Sequence, residues 1–226
     1  MEQLTLKFKI MKKTCDSKNQ NLPAKNCYAL KKHIAAGNNK LPETTAIFNM
    51  CSAADCPAAK LGLCQLKDTD DCYARKAEIQ YKNVIPYRNR QKEIFQSISA
   101  TNFVFQFNEM NARKRNKFNQ LRVSEAGDFD SQKDVDKLSK IANNLEIITY
   151  CYTARKDLNF KDRGKLNING SNFMVDNMFI AAKFAWLKIQ ALKAKGFKKV
   201  ILCAADCKKC NICAIGKGYI IVAKKH

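Results

Sequence analysis

From Leu121 onwards the chain alternates short apolar runs with amphipathic stretches, and this alternation limits the fold more than any other feature. LRVSEAG (121–127), LEIITYCYT (145–153), KLNINGS (165–171), KKVILCAAD (198–206) and GYIIVAKKH (218–226) read as strands. Between them, DSQKDVDKLSKIANN (130–144) sets Val135, Leu138, Ile141 and Ala142 on one helical face. DNMFIAAKFAWLKIQALKAKG (176–196) reads as the longest helix, with Gly196 as its stop. Such alternation builds a mostly parallel sheet with right-handed crossovers. The expected fold is α/β, a mostly parallel sheet with flanking helices, of which an incomplete (β/α) barrel is one form.

Upstream the pattern is weaker. Residues 1–45 read as an N-terminal appendage. Within it LTLKFKI is a strand, Cys27 to His33 begins a helix, and Pro23 and Pro42 act as punctuation. Residues 46–226 form the main domain. Residues 46–72 are expected as an irregular loop, followed by a helix from Tyr73. Pro86 interrupts that helix, and RNRQKEIFQSI is a second helical stretch. TNFVFQF (101–107) fits a strand or the end of a helix.

A chain of 226 residues buries enough surface to fold without disulfides. Its 46% hydrophobic and 27% charged residues exclude a disordered, collagen-like or coiled-coil chain. No run is long and apolar enough for a membrane helix, and the N-terminus lacks the apolar core of a signal peptide. A cytoplasmic location is therefore expected. Lys plus Arg is 41 against 20 acids, a formal charge of +21. That favours polyanionic partners through counterion release. The lysines are scattered, however, and a Lys- and Asn-rich composition alone gives the same charge.

Eleven cysteines in such a chain argue against a disulfide framework and for metal or cluster ligation. Cys203, Cys207, Cys210 and Cys213 follow C-x3-C-x2-C-x2-C, four thiols within eleven residues. One tight run of this kind cups a cubane [4Fe–4S] cluster, which takes four thiolates. Zinc more often uses two knuckles a dozen residues apart, and is the alternative. Cys51, Cys56, Cys64 and Cys72 form a second, looser set, C-x4-C-x7-C-x7-C. Cys72 stands at an expected helix N-terminus, where thiolates are favoured. Cys151 lies in an apolar strand and reads as core, while Cys15 and Cys27 have no partner spacing.

These motifs resemble a phage family. C-P-x-A, C-Y-A-R-K-A-E, R-V-x-E-x-G-D-F, Y-x-Y-T, the C-terminal cysteine run and the terminal His226 are similar to the gene product 88 family over about residues 47–226. LKDTD lengthens the gap between Cys64 and Cys72 relative to that pattern. The resemblance implies a phage origin and a host-cytoplasm setting, and little chemistry. A more distant likeness to radical SAM proteins brings S-adenosylmethionine in as a cosubstrate. The Cys203, Cys207, Cys210 triad has the radical SAM spacing, but it follows a late strand with too little chain after it to build a barrel.

The remaining candidates cluster at expected strand ends. Gly127 permits a sharp turn, and Asp128 then serves as a base, or binds a ribose hydroxyl or an amine; alternatively Asp128 or Asp130 caps the next helix. Tyr152 and Arg155 are candidate substrate-holding residues, and Gly127 and Thr153 candidate cofactor-binding ones. Arg155 suits a carboxylate or phosphate, or a surface ion pair. Asn169-Gly170-Ser171 reads as a turn. His226 is a ligand or a solvated terminus. No glycine-rich nucleotide fingerprint, P-loop, nucleophile elbow or HExxH is present. The expectation is an iron–sulfur enzyme, radical SAM-like, acting on nucleic acid or a nucleotide, with one or two [4Fe–4S] clusters. The rival is a zinc- or cluster-stapled basic module that binds nucleic acid or a host protein. Neither involves a membrane.

Overall fold

A computed structural model describes residues 30–64 and 72–224. Strands β1 (Ala35–Ala36), β2 (Thr45–Phe48), β3 (Gln120–Val123), β4 (Ile148–Thr153), β5 (Asn167–Ser171), β6 (Asn177–Ala182), β7 (Val200–Leu202) and β8 (Ile220–Lys224) form one sheet. Its order is β1-β2-β3-β4-β5-β6-β8-β7. Only the β1–β2 pair is antiparallel. The mostly parallel α/β reading is therefore right. The sheet ends at β1 and β7, and the described strands close no barrel.

Helices α1 (Pro57–Lys60), α2 (Tyr73–Gln80), α3 (Val84–Ser97) and α4 (Ala100–Ala112) fill the β2–β3 crossover. Helix α5 (Gln132–Asn144) links β3 to β4, α6 (Ala185–Ala194) links β6 to β7, and α7 (Ile212–Ile215) precedes β8. Alternate strand residues face the helices. Ala46, Phe48, Leu121, Val123, Cys151 and Ile168 pack against Phe95, Phe103, Phe107, Val135, Leu138 and Ile141 in the main core. Phe48 meets Phe103 edge-on at 5.5 Å. A smaller core joins Ile180, Val200, Ile220 and Val222 to Ala185, Ile189 and Leu192 of α6. Cys151 is fully buried, as its apolar strand predicts.

Several local expectations change. Residues 30–45, read with the appendage, pack onto the main sheet: Leu30 joins its core and β1 pairs with β2. The LTLKFKI strand, Cys15, Cys27 and His226 lie outside the described residues. Pro86 does not interrupt a helix. It sits in the first turn of α3, where its missing N–H is not needed. Residues 101–107 are the middle of α4, started by Ser99, whose hydroxyl accepts the Asn102 N–H at 3.2 Å. The expected longest helix splits into β6 and the shorter α6. An apolar run buried between β5 and β8 carries no period that separates strand from helix.

Asn169-Gly170-Ser171 is part of β5 and not a turn. The next five residues return the chain to start β6 in parallel, without a helix. Asn172 at φ +66° reverses the direction. The Asp176 N–H then bonds the Ile168 carbonyl at 3.0 Å. A methyl on Gly170 would stand 2.4 Å from the Phe173 carbonyl oxygen, so the returning loop passes over a residue without a side chain.

Candidate functional site

The C-terminal ends of β2, β3, β4 and β7 carry the motif residues. After β2 the chain enters a loop containing Cys51 and Cys56. Three anchors shape it. Asn49 donates to Gln91 at 3.0 Å and accepts the Ala126 N–H at 2.7 Å. Glu78 of α2 accepts the Ala53 and Ala54 N–H groups at 2.6 and 3.1 Å. Arg88 pairs with the same carboxylate at 2.7 Å, and both side chains are buried. Gly127, at φ +75°, is the third: a Cβ there would lie 2.4 Å from Cys51 Sγ and 2.5 Å from its backbone nitrogen. Only glycine lets the β3 turn come this close.

Pro57 occupies the first position of α1, and the Cys64 N–H returns to bond the Ala58 carbonyl at 3.2 Å. Cys51 is buried, and Cys56 and Cys64 are half-buried. Burial pushes the Cys51 thiol up to about 11 and the Cys56 thiol up to about 12. Cys51 and Cys64 both act electrostatically on Cys56. Cys72 is the N-cap of α2, at the helix start its motif predicts.

The second thiol group follows β7. The Cys203 N–H is held by the Val222 carbonyl at 2.8 Å, and Ala205 takes φ +57°. Non-glycine residues held in this region store strain of the kind that collects at functional sites. The Asp206 carboxylate accepts the Lys208 N–H at 3.1 Å and forms the turn that leads to Cys210. Burial raises the Cys213 thiol to about 11, against a hydrogen bond from Tyr152 that favours the thiolate. Burial also raises Cys207.

An amide ladder missing from the sequence reading positions this group. On the sheet face opposite α3, α4 and α5, Asn167 and Asn169 each donate to the Cys213 carbonyl at 2.9 Å. Asn177 donates to the Gly216 carbonyl at 2.9 Å and to Asn169 at 3.1 Å. Gln120 donates to Asn211 at 3.2 Å. The signal was the alternation Asn167-Ile168-Asn169, which puts two amides on one strand face.

Arg122 of β3 lies on the side of the second thiol group. Its guanidinium stacks over Tyr152 at 5.1 Å, reaches the Tyr73 hydroxyl at 3.4 Å and sits 3.9 Å from Glu125. The Tyr73 hydroxyl also donates to the Glu125 carbonyl. Arg122 Nε, Ser124 Oγ and Asn167 Oδ1 are buried without hydrogen-bond partners. Arg122 is thus a cation with spare donor capacity, in electrostatic range of Cys207 and Cys213.

Asp128 and Thr153 are brought together. Asp128 is buried and accepts the Thr153 hydroxyl at 2.6 Å, the Ala154 N–H at 2.7 Å and the Phe129 N–H at 2.8 Å. Burial nevertheless raises its carboxyl to about 6. These bonds tie the β3 and β4 ends together. Helix α5 is capped by neither Asp128 nor Asp130. Ser131 is its N-cap, and Asp134 accepts the Asp130 and Ser131 N–H groups at 2.7 and 3.3 Å. Arg155 turns inward: it pairs with Asp157 at 2.8 Å and donates to the Phe129 and Asp130 carbonyls at 2.6 and 3.1 Å.

Among the described residues no three His, Cys, Asp or Glu side chains converge as a metal-holding group. None of the nine described cysteines is in a disulfide. No described helix is long and apolar enough to cross a membrane.

The family model for gene product 88 matches residues 7–174. The chain belongs to the gene product 88 family. This is a family of phage proteins. No curated protein and no solved structure matches the chain. In this gene product 88 protein the matched span holds Cys51, Cys56, Cys64, Cys72, Gly127, Asp128, Tyr152, Thr153 and Arg155. It encloses the whole main core and stops before β6. The C-terminal cysteine run lies beyond it, on the part of the fold that carries the smaller core.

Proposed function

We propose that the protein is an iron–sulfur protein whose cluster is held by Cys203, Cys207, Cys210 and Cys213, and that it acts on a nucleotide or nucleic acid. Cys51, Cys56, Cys64 and Cys72 are the candidate ligands of a second cluster. The observation that carries the reading is Arg122: a mostly buried cation with an unpartnered Nε, in electrostatic range of Cys207 and Cys213. A four-thiolate cluster carries net negative charge, and a fixed cation with free donors fits it in sign and chemistry. The donor set fits as well, being thiols alone in the run. Convergence of the four sulfurs is what loading would add.

When bound, such a cluster supplies one-electron chemistry, and an open iron site adds the radical SAM-like variant. The chain's own residues set its surroundings. Arg122 favours charge on the sulfurs of Cys207 and Cys213, and the Tyr152 hydroxyl favours it on that of Cys213. The amide ladder fixes the backbone that carries Cys213. Asp128 and Thr153 hold the two strand ends in register, and Arg155 holds the turn behind them. Any substrate contact is made from the polar face that presents Arg122, Tyr150 and Tyr152.

Anaerobic purification with iron, sulfide and zinc analysis tests this. About four irons and four sulfides per cluster are expected. Substituting Cys207 and Cys210 with serine should abolish the charge-transfer absorbance. Zinc without labile sulfide, or no metal at all, overturns the reading, and zinc leaves a stapled basic module.

A further inference from the structure

The last fifty residues, 177–226, hold eleven lysines and a single acid, Asp206, a net +10 of the chain's +21. The charge is therefore far from uniform. The stretch from Lys183 to Lys199 carries six lysines and no acidic residue, and every residue in it is exposed except Ala185, Ile189 and Leu192. Those three are the residues that seat α6 on the small core.

The outward side of this element is not an ordinary lysine surface. Phe184 and Trp186 are each 64% exposed, and Leu187 and Phe197 are exposed in the same stretch. Trp186 is the chain's one tryptophan. The Lys183 ammonium lies 5.6 Å from the Phe184 ring centre. Exposed aromatic rings interleaved with cations are the elements of a single-strand binding surface: rings stack unpaired bases while lysines meet phosphates.

The geometry points to a single-stranded nucleic acid bound along α6, with Phe184 and Trp186 as stacking platforms and Lys183 and Lys188 on the backbone. A second copy of this chain is disfavoured, because it would set lysines against lysines. An interfacial membrane helix separates an apolar face from a charged one. Here the inward apolar residues are already buried on the sheet, and the outward rings alternate with lysines. A duplex keeps its bases stacked and offers no free face to the rings. The inference stands on this surface alone and is independent of cluster binding.

Trp186 supplies the readout. The full-length protein as isolated is titrated with a thymidine oligomer of about 15 nucleotides, a length within the usual single-strand site range. Tryptophan emission should be quenched, and affinity should fall linearly with salt on logarithmic axes. A labelled oligomer followed by anisotropy then compares variants. W186A should weaken binding roughly 5- to 150-fold, and W186F should retain most of it. The pair K183E and K188E should flatten the salt dependence, which guards against a folding defect in W186A. Binding that is absent, or equal in W186A and in the lysine pair, overturns the inference. So does a blue shift of Trp186 on anionic vesicles without any response to the oligomer, or emission that depends on protein concentration alone.

Discussion

Asp176 shows how one buried charge holds two strands. Its carboxylate accepts Arg163 through both oxygens at 2.6 and 2.8 Å and the Ile168 N–H at 2.9 Å, with Lys217 at 3.4 Å. Burial alone would raise its carboxyl. The Arg163 pair, the Ile168 N–H and Lys217 outweigh burial and hold it below the ordinary carboxylate value. A depressed carboxylate adds stability above its unfolded value, and that stability is lost as pH falls through the folded value. Acid unfolding should therefore steepen below about pH 4, the ordinary carboxylate range. Asp176→Asn should flatten that limb and lower stability at neutral pH, because Arg163 loses its anion. Urea titrations at pH 3 and pH 7 measure both effects, and equal slopes for the two proteins would refute the assignment. Asp128 is the contrasting residue: with no cation on its oxygens, burial wins and its carboxyl rises. The motif marked Asp128 as important, but a carboxylate that serves the strand ends and one that serves a substrate look the same in sequence.

At the scale of elements, the amide ladder decides where the C-terminal thiols stand. Asn169 bridges the Cys151 and Cys213 carbonyls at 3.1 and 2.9 Å and is fully buried. Asn169→Ala removes both bonds and the acceptor used by Asn177. Stability should fall by about 2 kcal/mol. Cys213 should also react faster with a thiol-alkylating reagent at neutral pH, because the loop carrying it is freed. Mass-spectrometric mapping of alkylation rates reads this directly, and an unchanged Cys213 rate would show that the ladder does not hold the loop. The neighbouring misreading has the same origin. Residues 177–182 contain helix-compatible residues, yet they pair with β5 and β8 because the five-residue return loop leaves them nowhere else to hydrogen-bond.

On the scale of the whole molecule, the two cores are unequal. The main one gathers apolar residues from α3, α4, α5 and β2 to β5, and the smaller one rests on β6, α6, β7 and β8. Local stability follows buried apolar contact. Amide hydrogens of α6 and β7 should therefore exchange well before those of β3, β4 and α5, in native-state exchange followed by mass spectrometry. Uniform protection across both regions would mean a single cooperative unit. The family match ends near the same boundary, so the basic part with the C-terminal cysteine run lies outside the matched span.

Much of this was legible from residues. The strand–helix alternation implied a parallel sheet, and the spacing of Val135, Leu138 and Ile141 gave α5 its buried face. These are local periodicities, and local chemistry carries them. The Asn167-Ile168-Asn169 alternation put two amides on one face, but their partners, the place of Arg122 and the Trp186 surface were invisible, because a strand residue gives no sign of what lies opposite. Strand order, the return loop over Gly170 and the burial of the polar face arise from contacts between segments far apart in the chain. Only the tertiary structure decides those, since burial and pairing set their energies and neither exists until the segments meet.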